Sequence, residues 1–231
     1  PRRSLSAFRG ANGEDGCWMP DKVQDPPLRT VEGGVSYGVD LDGNADGAAT
    51  PKSCKHVDFI SPEGVKGVDN QAYRLLGCHY GWRKDGYIDR HADGERRDTS
   101  HGVTLIEITG VDDVQNDSSV EVAFYKKADD DALPKDHRAE ILGKASYRIH
   151  DTPRYGGRAH GRIENGMLIT DPVNVTLPYY GNQVHVPVVM RDLTLRLKIA
   201  DPDKDAEGLV AGYYDKASLW RYIQQLEYLN V

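Results

Sequence analysis

Long apolar runs, cysteines, phenylalanines and an excess of basic charge are all scarce in this chain, and each scarcity closes off a class of protein. No segment approaches the ~20 consecutive apolar residues that cross a bilayer as a helix, so no transmembrane segment is expected. Lys and Arg number 29 against 36 Asp and Glu, a formal charge of −7. A general nucleic-acid binder needs a basic field to meet the phosphates. The clusters Arg2-Arg3, Arg90-His91 and Arg96-Arg97 are terminal or interleaved with acids, so no nucleic-acid partner is expected. Three cysteines in 231 residues exclude a disulfide-dense scaffold and leave room for at most one internal bridge. Ser61, Ser100 and Ser146 lack a glycine-bracketed elbow, and no phosphate or dinucleotide loop is present. The chain opens at Pro1 without a basic-then-apolar leader, compatible with a processed mature protein or a trimmed one.

What is abundant points to β-structure. Glycine (24) and proline (12) mark many turns, while thirteen tyrosines supply large, partly polar packing groups. Residues 1–34 read as an irregular arm. Residues 35–231 read as one β-rich domain: a loop-rich region to 101, antiparallel sheets over 102–214, and a helix over 215–229 capped by Asp215. In Val120–Tyr125, Val120, Val122 and Phe124 share a face. In Leu193–Ile199, Leu193, Leu195, Leu197 and Ile199 do the same, the half-buried alternation of an antiparallel strand. Further strands are expected at Val103–Ile108, Lys144–His150, Arg158–Ile163, Met167–Thr170 after an Asn165-Gly166 turn, Asn174–Pro178 and Val184–Val189. A short helix near Asp69 ends at Gly77, with Ala72, Leu75 and Leu76 on one side. The fold class is therefore mainly β: an antiparallel β-sandwich or partly closed barrel, with a loop-rich N-terminal half and one C-terminal helix.

The chemistry concentrates in Asp40-Leu41-Asp42-Gly43-Asn44-Ala45-Asp46-Gly47. Oxygen donors at alternate positions of a glycine-interrupted loop can converge on Ca2+. The helix-loop-helix calcium pattern is not met, because Ala45 and Pro51 stand where glycine and glutamate belong. The loop then borrows ligands from afar, which gives a metal set of Asp40, Asp42, Asn44, Asp46, Asp58 and Asp69. The plainer alternative is an acidic turn whose aspartates cap local amides, with Asp69 capping the helix. Cys54 and Cys78 are expected to form a disulfide that anchors the next loop, with Cys54, His56, Asp58, Cys78 and His79 as a less favoured transition-metal set.

Other clusters carry weaker expectations. Glu63, Asp69, Asn70 and Gln71 invite a sugar-binding or hydrolytic reading, and Asp201–Gly208 a solvated loop or second ion site. His101, His150, His160 and His185 are candidates to meet in space. Tyr179-Tyr180 and Tyr213-Tyr214 read as core or interface residues before they read as glycan platforms.

Together these features predict a non-catalytic, calcium-stabilised binding or structural module, secreted or periplasmic, and a possible subunit of an envelope assembly. A protein or glycan partner, and oligomerisation through the arm or the C-terminal helix, fit that reading. The rival is a metal-dependent polysaccharide hydrolase or lyase drawing on Asp40, Asp42, His56, Asp58, Glu63 or His79. The two differ in arrangement: an enzyme opens its metal site onto a cleft, whereas a structural ion is closed in.

Overall fold

The computed structural model describes residues 12, 30–31, 34–45, 57–78, 91, 94–95, 100–129, 131–138, 140–181, 184–199 and 206–229. Cys17, Asp46, Cys54, His56, His79, residues 201–205 and most of the N-terminal arm lie outside that set. Among the described residues the fold is mainly β, as expected, and of the two architectures it is a partly closed barrel. The elements run β1 (Phe59–Ile60), β2 (Lys66–Val68), α1 (Gln71–Leu76), β3 (Thr104–Thr109), β4 (Asn116–Lys126), β5 (Gly157–Glu164), β6 (Met167–Thr170), β7 (Val173–Gly181), β8 (Val184–Lys198), β9 (Glu207–Tyr214) and α2 (Lys216–Leu229).

Strands β3 to β9 form one seven-stranded antiparallel sheet. The alternation in the sequence selects its inner face: Val120, Val122, Phe124, Ile163, Leu168, Val175, Leu193 and Leu195 form one buried cluster. Arg196 and Lys198 point outward from β8. Asn165 and Gly166 both take positive φ, 52° and 76°, the left-handed pair that a tight two-residue hairpin needs between β5 and β6. The sheet curls because β7 folds back over β5. Gly156 bridges Thr176 there, with φ of 117°. A Cβ on Gly156 would lie 2.4 Å from the Phe124 carbonyl oxygen, and one on Gly157 would lie 2.5 Å from Val175 Cγ1. These glycines are what let the start of β5 lie against β4 and β7.

Three local expectations change. Lys144–His150 is not a strand. Its Lys144 takes a positive φ, and Asp131 draws the Arg148 amide and guanidinium into an ion pair, leaving only single bridging contacts at Ile149. Val184–Val189 and Leu193–Ile199 are one continuous β8, whose pairing with β9 shifts register between Arg191 and Thr194, where Asp192 has φ of 50°. The Cys54–Cys78 disulfide is not formed: Cys78, just past the end of α1, is a thiol with no cysteine sulfur at bonding distance.

The loop-rich half is held by a cation instead. Arg74 in α1 is buried, its guanidinium donates to the carbonyls of Val31 and Val57 and to Gln71, and it stacks 4.5 Å above the Phe59 ring. Arginine's planar fork suits such divergent acceptors. Consequently α1 turns Arg74 inward and leaves Ala72 and Leu75 exposed, the reverse of the apolar face expected. The C-terminal helix is capped as expected, Asp215 accepting the amides of Ala217 and Ser218. It buries Ser218 on β8 and sets Tyr222 edge-on to Tyr179, while Leu219, Trp220 and Ile223 stay exposed. No helix among the described residues is long and apolar enough to cross a membrane.

Gly156→Ala is expected to lower stability by about 2 kcal/mol or more, since it adds both a left-handed strain and a backbone clash. Gly143→Ala, with nothing near its Cβ position, should be almost neutral. Urea denaturation of both variants checks this, and equal midpoints would refute the close-approach account.

Candidate metal centre

The loop from Asp40 to Ala45 is shaped by its own carboxylates. Asp40 Oδ1 accepts the amides of Gly43 (2.7 Å) and Asn44 (3.2 Å), and Asp42 Oδ1 accepts that of Asn44 (2.8 Å). Such short-range bonds are the ordinary use of Asp in turns. The opposite wall comes from the junction of β2 and α1. There Asn70, not Asp69, caps the helix, accepting the Tyr73 amide, while its own amide group donates to Ser36 and to the Tyr37 carbonyl. Asp69 is thereby released to face the loop, and its Oδ2 accepts the amides of Leu41 (2.9 Å) and Asp42 (3.1 Å).

Gly67 completes the arrangement. With φ of 84°, it leaves room for the loop to lie on β2; a Cβ there would sit 2.8 Å from Ala45 Cα and 3.3 Å from Asp40 Oδ2. The result is convergence: one oxygen from each of Asp40, Asp42 and Asp69 lies within 4.8 Å of the others. Burial raises the Asp69 carboxyl above its usual range. The Leu41 and Asp42 amides oppose that shift, and the charges of Asp42 and Asp40 add to it. Clustered carboxylates are relieved by a proton or by a cation. All-oxygen donors suit a hard divalent ion. Three carboxylates can chelate such an ion, and nothing in the set singles out calcium.

The other expected ligands fare differently. Asn44 lies in the loop with its amide bound to both aspartates. Asp58 is half-buried ahead of β1 and outside the converging trio, and Asp46 lies outside the described residues. Glu63 is exposed on a turn whose amides bond to Ser61 Oγ. The amides of Asn70 and Gln71 hold the helix and Arg74, so they build the wall rather than reach for a ligand.

The trio borders a cleft. Asp42 and Asp69 share a cavity of about 570 Å³ with Tyr37, Val210, Tyr213 and Tyr214, so the loop region and β9 face each other across it. Tyr213 and Tyr214 are 38% and 44% exposed, which makes them cleft residues and not core ones. Tyr179 and Tyr180, in contrast, pack against Tyr222 and against His101 and His185. Sequence reading missed Gly67 and Tyr37. Their signal is only tertiary, since nothing local says that β2 receives a loop or that Tyr37 faces β9. Comparison with protein-family models, curated proteins and solved structures gives no match.

The raised Asp69 carboxyl fixes the sign of a pH effect. A carboxyl that holds its proton more tightly when folded contributes stability at low pH, and that contribution is lost as pH rises through its folded value. With divalent ions chelated, the melting temperature is therefore expected to fall as pH rises through Asp69's raised range, and to fall less in Asp69→Asn. Identical pH slopes for the two proteins, measured by calorimetry, would count against the crowded-carboxylate geometry.

Proposed function

We propose that this chain is a cation-dependent protein of the cell exterior or periplasm that acts on a polysaccharide as a metal-dependent hydrolase or lyase. Asp40, Asp42 and Asp69 hold the ion. One observation carries the reading: two of the three carboxylates open onto a cleft instead of being sealed in the fold. A cation there keeps coordination positions for a substrate oxygen, where it orients the sugar and withdraws charge from the reacting centre. Tyr37, Tyr213 and Tyr214 supply partly polar ring faces along the same cleft. Calcium is the ion we favour, because carboxylates on an irregular loop suit its irregular coordination, and such a site fills at the millimolar concentrations found outside cells.

A second reading is favoured by a different observation. The same carboxylates already accept five hydrogen bonds from four loop amides, so an ion would also lock the loop, as in a calcium-stabilised binding module without turnover. Titration calorimetry with Ca2+, Mg2+ and Mn2+ separates the outcomes when joined to a screen of neutral and acidic polysaccharides for new reducing ends or unsaturated sugars. Wild type is expected to bind one ion and to show chelator-sensitive turnover. Asp69→Asn and Asp42→Asn should each lose about tenfold or more in ion affinity, the size expected on losing one charged ligand. Ion binding that raises the melting temperature, without turnover, selects the non-catalytic module. No ion binding up to millimolar concentrations would remove both readings.

A further inference from the structure

Away from the acidic loop, the sheet gathers a second set of titratable side chains. Three of the four histidines singled out in the sequence meet here, while His160 pairs with Glu121 elsewhere. Asp129, just after β4, is the hub. Lys126 Nζ lies 2.7 Å from its Oδ2, and His101 Nδ1 and His150 Nε2 each lie 3.7 Å from one of its oxygens. His150 Nδ1 accepts the Thr152 amide, which leaves the His150 proton on Nε2, toward Asp129. On the far side of His101, three rings pack together. His101 and His185 are 4.9 Å apart, His101 and Tyr180 5.2 Å, and Tyr180 and His185 4.5 Å. Gly102 makes this contact possible, because a Cβ there would lie 2.8 Å from the Tyr180 amide nitrogen. The segment ahead of β3 is thus seated directly on the end of the β7–β8 hairpin.

This is not a second metal set. Among the described residues only the aspartate trio converges, and the Lys126 ammonium already occupies the Asp129 carboxylate.

We propose that the cluster is an acid-sensitive clasp, which holds the end of the β7–β8 hairpin against the segment preceding β3 at neutral pH and loosens when His185 takes up a proton. Neutral, His185 stacks on two rings at little electrostatic cost. Protonated, it meets His101 and Lys126 while Asp129 is already committed to Lys126, His101 and His150. Tyr155, under Lys126 and beside His150, adds no balancing charge. The electrostatics agree in direction. His185 is exposed along β8, and the partial burial of its ring lowers the imidazole below its usual value; His101 and Lys126 lower it further, and Asp129 only partly opposes them. For Asp129, burial works upward, but Lys126, His150 and His101 together bring the carboxyl below its usual range, so it stays an anion while His185 titrates. A histidine lowered in the fold gives its full stabilisation above the unfolded value of about 6.5, and loses it as pH falls from there through the folded value.

The test is hydrogen exchange of the hairpin-end amides, Tyr180 and Val184 to Val186, between pH 7.5 and 5, with imidazole NMR titration of the same protein. After correction for intrinsic exchange, protection of these amides is expected to fall by up to about tenfold for each pH unit by which the His185 midpoint lies under 6.5. The core amides of Val122 and Leu195 should not follow. His185→Phe keeps a ring and removes the titration, so its hairpin should be insensitive to pH. If that variant does not fold, the wild-type titration still decides, because a His185 midpoint at or above 6.5 overturns the clasp. So does pH-independent protection in wild type, or unchanged pH dependence in His185→Phe.

Discussion

The backbone pairing of β8 organises almost everything else in this protein. Its N-terminal half pairs with β7, and its C-terminal half pairs with β6 and with β9. A strand with neighbours along both edges has its polar groups satisfied inside the sheet, and shifting it by one residue would turn its core face outward. That face carries Leu193 and Leu195, both fully buried. From this one strand hang both places where chemistry collects. Its partner β9 brings Tyr213 and Tyr214 to the metal cleft, and its first residues carry His185 into the histidine cluster.

The acidic loop depends on a different kind of constraint, a choice of partner at one helix end. Asp69 and Asn70 are both competent caps, and Asn70 takes the role because its amide can also hold Ser36 and the Tyr37 carbonyl. Asp69 is then partly buried opposite two more carboxylates. The amides of Leu41 and Asp42 offset part of that burden, and a divalent ion would offset the rest. The same loop geometry therefore serves two readings, a turn stitched by its own aspartates and a half-built cation site.

Much of this was legible in the residues. The Val120–Val122–Phe124 and Leu193–Leu195 alternations, the Asn165-Gly166 turn, the β6 bounds and the Asp215 cap all depend on neighbours in sequence, and the structure follows them. The Asp40–Asp42 loop was legible too, as one seeking a distant ligand, with Asp58 and Asp69 both on offer; only Asp69 converges with it. The expectations that failed required knowledge of distant partners. Arg74 lies on the inner side of α1 because Val31, Val57 and Phe59 converge there, and it replaces the link assigned to Cys54 and Cys78. Lys144–His150 has the composition of a strand, but Asp131 takes the Arg148 amide, so pairing there goes no further than the single Lys127–Ile149 bridge.

The sequence by itself determined the periodicities, the turns and the caps, and with them a mainly antiparallel fold carrying an acidic loop, because each of those depends on residues a few positions apart. Only the tertiary structure decided that Asp69 faces the loop, that β9 supplies the opposite wall of the cleft, and that His101 and His150 flank Asp129 while His185 packs on His101. Those juxtapositions join segments tens of residues apart, through close approaches such as Gly67 on Ala45 and Gly102 on Tyr180. A glycine announces freedom in sequence; which backbone comes to fill the space is decided only when the sheet closes.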